Sequence, residues 1–157
     1  LKSPLEDYLK KKGIYYRLIP KGETLHTADA ASVTGIELHR ITKNLVSITD
    51  KGEYVVLIVP GDRRVNLRKA SEALGVKNVR LLSPDEAEKV SGYPPGGTPS
   101  LGFRERVKVI LDDELTRLER IFCGGGSRDL LLEVRVEDVI RLNGAIIAPI
   151  SEPQPMG

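Results

Sequence analysis

The apolar positions of this chain fall in short blocks separated by glycine, proline and charged residues, and the spacing inside each block predicts an element. Ser3-Pro4-Leu5-Glu6 opens a helix: the serine hydroxyl can take an orphan amide, proline suits the first helical position and the glutamate can bond back. Gly13 closes it. Ile14–Ile19 is dense in β-branched and aromatic side chains and stops at Pro20-Lys21-Gly22, which predicts a strand and a turn. Thr27 is placed to cap a short alanine-rich helix running through Val33, with Gly35 at its end. Two strands follow, Ile41–Thr49 and the apolar Tyr54–Val59, joined as a hairpin by Asp50-Lys51-Gly52-Glu53.

Pro60-Gly61-Asp62 interrupts this pattern, after which Asn66 caps a helix over Leu67–Leu74 that Gly75 ends. Val79–Leu82 is extended, and Ser83-Pro84-Asp85-Glu86 repeats the opening signature for a helix that finishes at Gly92. Gly92–Gly102 contains Pro94-Pro95, Gly96-Gly97 and Pro99, so regular structure through it would forfeit backbone bonds, and a shaped loop is expected. Val107–Leu111, Leu118–Cys123 and Leu130–Val134 are strand candidates; Gly124-Gly125-Gly126 turns the chain between the last two. Val136–Leu142 has helical spacing up to Gly144, and Ala145–Ile150 closes as a short strand. Residues 151–157 are polar and proline-containing, a flexible C-terminal tail with little to bury. About seven short strands interrupted by four or five short helices predict an α+β fold: a mixed, barrel-like β-sheet surrounded by short helices, with residues 1–150 as a single domain.

Composition narrows the class. A chain of 157 residues, 40% hydrophobic and 29% charged, can build one core and is not a disordered polyelectrolyte. Its longest apolar runs, such as Val55–Val59, fall far short of the roughly 20 residues that span a bilayer, so no membrane partner is expected. The single cysteine, Cys123, cannot form an internal disulfide, and Leu1-Lys2-Ser3-Pro4 lacks the apolar core of a secretory signal; a cytoplasmic location is expected. Two histidines and one cysteine are too few for a metal cage, and the carboxylates lack calcium-loop spacing, so no metal is expected. The net charge of +2 does not by itself mark a nucleic-acid binder, although Lys10-Lys11-Lys12 and Arg63-Arg64 could touch phosphates.

Alternation puts Lys43 on the strand face of Ile41 and Leu45, where its ammonium could hold a phosphate or a developing negative charge. The bland alternative is a stem lying on apolar surface with its head in solvent. Gly96–Gly102 offers amides free of bulky side chains, suited to an oxyanion, although a tight connection would use the same residues. It lacks the Gly-Lys-Ser/Thr of a phosphate loop, which disfavours a nucleotide triphosphatase. Gly124-Gly125-Gly126 could admit a substrate closely or simply make a strained turn. Cys123 has no adjacent basic activator and reads as a small buried side chain, while His26 and His39 could act as bases or merely cap and decorate the surface. No Ser/His/acid set is identifiable.

Taken together, Thr27-Ala28-Asp29-Ala30-Ala31, Ile41-Thr42-Lys43-Asn44-Leu45-Val46 and the Gly92–Gly102 loop resemble, in order and spacing, the YbaK/ProX family of aminoacyl-tRNA editing domains, which is related to the editing insertion of prolyl-tRNA synthetases. The resemblance continues through Val109–Leu115, Gly124–Gly126 and Val136–Val139, and covers about residues 14 to 150. It implies a barrel dressed with helices and a trans-editing hydrolase that deacylates mischarged tRNA with a water nucleophile, substrate assistance and no cofactor. The need is physical: a synthetase pocket discriminates one methylene by only about 1–3 kcal/mol. The implied partners are the acceptor end of a mischarged tRNA and, secondarily, an aminoacyl-tRNA synthetase. By the same resemblance Lys43, Gly97 and Gly102 are catalytic, the lysine holding the terminal adenosine or its phosphate and the loop amides the ester carbonyl. Thr27, Asn44, Gly96, Thr98, Ser100 and Gly126 would bind substrate. A non-enzymatic module that binds a nucleotide or acceptor end through the same cleft is the alternative.

Overall fold

The computed structural model describes residues 3–155. In chain order these form α1 (Pro4–Lys12), β1 (Tyr16–Pro20), α2 (Thr27–Thr34), β2 (Thr42–Thr49), β3 (Tyr54–Pro60), β4 (Arg63–Val65), α3 (Leu67–Leu74), β5 (Val79–Leu81), α4 (Pro84–Ser91), β6 (Lys108–Asp112), β7 (Arg120–Gly124), β8 (Leu130–Arg135), α5 (Val136–Asn143), β9 (Ile146–Ala148) and β10 (Ser151–Pro153). Short 3₁₀ turns cover Leu38–Arg40 and Asp113–Arg117. No helix among the described residues is long and apolar enough to cross a membrane.

The helix boundaries follow local chemistry with two exceptions. Asn66 Oδ1 accepts from the Lys69 amide at 3.0 Å, and Ser83 Oγ accepts from the Glu86 amide at 3.3 Å, as their cap positions require. Thr27, expected as a cap, is instead the first helical residue: His26 precedes it, and its carbonyl takes the Asp29 and Ala30 amides at 3.1 Å. At α1 the Ser3 hydroxyl makes no cap bond, and Glu6 does not fold back but accepts from the Tyr16 hydroxyl at 3.2 Å.

A five-stranded sheet has the order β5-β2-β3-β6-β9, antiparallel around β2 and parallel from β3 to β6 and on to β9. Strand β3 is buried on both faces, which explains why its sequence is continuously apolar rather than alternating. On one face Val56 and Ile58 meet α1, α4 and α5 through Leu5, Leu9, Val90 and Val139. On the other, Val55, Leu57 and Val59 pack with Ala70 of α3 and Ile150. Each such side chain contributes about 1.5–3 kcal/mol on leaving water. A three-stranded antiparallel sheet, β1-β8-β7, closes the first layer with Ile121, Cys123, Leu132 and Val134.

The expected α+β class and mixed sheet are present, but the barrel is not closed. Ten strands, rather than about seven, divide into three sheets. Between β2 and β7 the ladder shrinks to one isolated bridge, Ile41 to Phe122. The reason is the loop after α4, whose Thr98 carbonyl accepts from the Gly124 amide at 3.1 Å and from Asn44 Nδ2 at 3.2 Å, occupying the seam.

The C-terminal segment expected to be a flexible tail is corrected over Ser151–Pro153, which form β10 and pair antiparallel with β4. Asp112, fully buried, holds this strand: it accepts from the Ile150 amide at 2.9 Å and from the Ser151 hydroxyl at 2.7 Å. Polar residues tie the segment down without a large apolar area, a contact that composition does not reveal. Replacing Asp112 with alanine strands two buried donors, at about 1–3 kcal/mol each. Asp112→Ala is therefore expected to lower the thermal midpoint by several degrees, about 2–4 °C per kcal/mol, and to raise hydrogen exchange at Ile150 and Ser151 first.

Candidate functional site

A cleft of about 710 Å³ opens where α2, the start of β2, the loop after α4 and the end of β7 converge, and it is lined in part by Thr27, Lys43, Asn44, Gly96, Thr98 and Gly124. Ile41 and Leu131 give it an apolar floor. Lys21, His26 and Asp62 add polar groups to its wall.

Lys43 reaches the cleft from β2, and its Nζ donates to the Arg63 carbonyl at 2.8 Å. Arg63 is fixed in turn, its Nε donating to Ser151 Oγ at 2.7 Å and its Nη2 to the Ser151 carbonyl at 3.2 Å. A continuous set of hydrogen bonds therefore runs from buried Asp112 through Ser151 and Arg63 to the Lys43 ammonium. Partial burial pushes the Lys43 pKa below that of an ordinary lysine, and the Asp62 carboxylate pulls it back up. Asp62 is itself paired with His39, Nδ1 to Oδ1 at 2.8 Å.

The glycine loop is held by its own backbone. The Gly97 amide donates to the Pro94 carbonyl at 2.9 Å, and the Gly97 carbonyl accepts from the Gly126 amide at 2.9 Å. A Cβ on Gly124 would sit 2.4 Å from the Gly97 carbonyl carbon and 2.5 Å from the Thr98 amide nitrogen. One on Gly97 would lie 2.8 Å from the Ser127 amide nitrogen. The two glycine segments are thus glycine because their backbones touch each other, not only because a ligand approaches. Among the described residues neither the Gly96 nor the Thr98 amide has an acceptor, and both residues line the cleft.

Asn44 clamps this loop to β2: its Nδ2 donates to the Thr98 carbonyl, and its Oδ1 accepts from Ser100 Oγ at 2.5 Å. Ser100 is fully buried behind Asn44 and does not line the cleft. Gly97, Gly102 and Gly126 also lie outside the lining. Gly102 faces Leu5, Tyr8 and Tyr93 at φ +76°, and its carbonyl accepts from the Tyr93 hydroxyl. Thr27, Lys43, Asn44, Gly96 and Thr98 are the sequence candidates that the fold brings together.

Lys21 is a lining group that sequence reasoning missed. In the sequence it sits inside the turn signal Pro20-Lys21-Gly22, yet its ammonium donates to the Thr24 hydroxyl and to the Arg128 carbonyl, the latter supplied by a distant segment. Burial lowers its pKa, against the pull of Asp129. Cys123 is fully buried, and burial pushes its thiol up to about 11, with Ser100 opposing, which disqualifies it as a nucleophile. Among the described residues no group of three or more His, Cys, Asp and Glu side chains could hold a metal ion. Lysine ammonium groups and amides without an acceptor are donors of the kind that suit an anionic group and a carbonyl oxygen.

A model of the aminoacyl-tRNA editing domain matches residues 21–142. The chain is 30% identical over 127 residues, 81% of its own length and 77% of the relative's, to an Enterococcus faecalis protein named as a candidate Cys-tRNA(Pro)/Cys-tRNA(Cys) deacylase, EbsC. It is 31% identical over 102 residues to the proline–tRNA ligase of Cupriavidus necator, spanning 63% of this chain and 18% of that enzyme. The crystal structure of a candidate trans-editing enzyme for prolyl-tRNA synthetase superposes with a TM-score of 0.85 at 26% identity, over 95% of each chain.

The geometry makes two predictions. In Asp62→Asn the Lys43 ammonium loses its stabilising charge, so its pKa falls further, read by NMR titration of the lysine Nζ; in the native chain Lys43 should already discharge at lower pH than exposed lysines. Gly124→Ala should force the loop off β7, costing about 1–3 kcal/mol in denaturant unfolding.

Proposed function

The chain belongs to the aminoacyl-tRNA editing domain family, and from that membership we infer that it acts as a deacylase, hydrolysing the ester that joins a wrong amino acid to tRNA. The observation that carries this reading is a cleft lined together by Lys43, Gly96 and Thr98, the last two with amides that have no acceptor among the described residues. In this assignment Lys43 holds the terminal adenosine or its phosphate, being partly desolvated and so little screened. Gly96 and Thr98 then donate to the oxygen of the tetrahedral intermediate, a task for fixed peptide dipoles. Gly97 acts by letting the two backbones meet, Gly126 by donating its amide to the Gly97 carbonyl, and Ser100 by orienting Asn44; Gly102 supports the loop from behind.

Water is the nucleophile in this scheme, and the substrate's own amine or ribose hydroxyl assists the proton transfer. Thr27, at the open end of α2, faces the aminoacyl group. The relatives' names direct attention to cysteine on proline tRNA as the first ester to test. The mischarged acceptor end is the partner in this reading, an aminoacyl-tRNA synthetase a further one, and the cytoplasm the place where both occur. A non-enzymatic acceptor-end module would use the same cleft, and turnover separates the two.

Single-turnover deacylation of cysteinyl, alanyl, seryl and threonyl tRNAs tests the reading: saturable tRNA binding without ester loss on any of them would reject catalysis. Lys43→Ala is expected to slow hydrolysis by about a hundredfold or more, the scale of losing one transition-state donor. Its thermal midpoint should stay within about 2–4 °C of the parent, because only one hydrogen bond is lost. Unchanged turnover in this variant would reject the role of Lys43.

A further inference from the structure

The face of the β1-β8-β7 sheet that bears buried Phe122 and Glu133 carries a stripe of arginines that leads away from the cleft. Cross-strand register sets its rows. Ile19, Leu131 and Gly124 align in one row, of which Leu131 and Gly124 line the cleft. Arg17, Glu133 and Phe122 align in the next. Beyond them Arg135 lies opposite Arg120. Successive rows on one face are roughly 7 Å apart.

The stripe is more basic than its own stability calls for. Arg40 lies over the Phe122 ring at 5.0 Å, and Arg17 Nε, on a side chain 60% exposed, pairs with Glu133 at 3.2 Å. Arg120 and Arg135 lie directly opposite each other, where like charges destabilise a sheet. Both guanidinium groups stack on Tyr15, at 4.7 and 5.2 Å, and neither has a carboxylate partner among the described residues. Arg135 Nε is buried without any hydrogen-bond partner. The Tyr15 ring is held by its hydroxyl, which donates to Glu133 at 2.5 Å. Four arginines against one carboxylate concentrate here more positive charge than the net +2 of the whole chain.

We propose that this stripe is a docking surface for the phosphate backbone of tRNA, carrying the acceptor stem away from the cleft while the terminal nucleotide occupies it. An arginine fork matches a phosphate bidentately. The repelling Arg120 and Arg135 pair is neutralised when a polyanion lies across it. The proposal rests on the deacylase reading for what enters the cleft, but its test does not.

The test is fluorescence anisotropy of labelled, uncharged bulk tRNA with the full chain and with the Arg120→Gln, Arg135→Gln double variant, across a salt series. The double variant should bind roughly tenfold more weakly at low salt, and its log–log salt slope should be shallower by about one to two. Its thermal midpoint should hold or rise, since a repulsion is relieved. Unchanged tRNA affinity overturns the proposal, whether the midpoint falls, as for a structural pair, or holds, as for a surface that serves a protein. Absence of wild-type tRNA binding at low salt overturns it as well. If the double variant does not fold, Arg17→Gln, at an exposed side chain, carries the same test with a drop of several-fold. Uncharged tRNA has no aminoacyl ester, so loss of binding in the variant stands even if the wild type deacylates nothing. Deacylation by the wild type with unaltered tRNA binding in the variant rejects the stripe alone.

Discussion

Two glycine segments that lie far apart along the chain meet backbone to backbone, and the cleft is shaped by that meeting. Gly97 and Thr98 lie so close to Gly124 that a methyl group on Gly124 would fall 2.4 to 2.5 Å from their atoms. The contact is made of hydrogen bonds as well as shape, Gly124 donating to Thr98 and Gly126 to Gly97. These bonds engage the Gly97 and Thr98 carbonyls, while the amides of Gly96 and Thr98 have no acceptor among the described residues. A fixed loop with spare donors is what an oxyanion site requires, since donors that must first reorganise lose much of their effect.

The charged partner of that loop is placed from the opposite direction. Lys43 is not held by the strand alone; its ammonium rests on the Arg63 carbonyl, and Arg63 rests on Ser151 and so on Asp112. Fixing a long lysine side chain opposes its rotamer entropy, and a carbonyl acceptor at the far end offsets part of that cost. The C-terminal strand thus belongs to the site although none of its three residues lines the cleft.

The β1-β8-β7 sheet packs on both faces, against the main core on one and against Ala30 and Ile41 on the other. On β7 and β8 the inward side chains Ile121, Cys123, Leu132 and Val134 fill the main core, while the alternating opposite set runs from Phe122 and Glu133 to Arg120 and Arg135. Alternation therefore carries the arginines onto the face opposite the main core without disturbing that core, and register aligns that face with the cleft.

What the sequence determined by itself was whatever depends on near neighbours in the chain. The caps Asn66 and Ser83, the αL glycines at helix ends, the apolar run of β3 and the prohibition on regular structure through Gly92–Gly102 are all local, and each has its counterpart in the fold, whereas the expected caps Thr27 and Ser3 do not. The candidates Thr27, Lys43, Asn44, Gly96 and Thr98 were legible as residue types in motifs. Tertiary structure alone decided which of them share a cleft, that Gly102 and Ser100 stand behind it, and that Lys21 joins it. It also decided that the sheet stays open and that Ser151–Pro153 is a strand. These outcomes rest on hydrogen bonds and backbone contacts between segments tens of residues apart, and no local pattern of hydrophobicity or propensity encodes a contact of that kind.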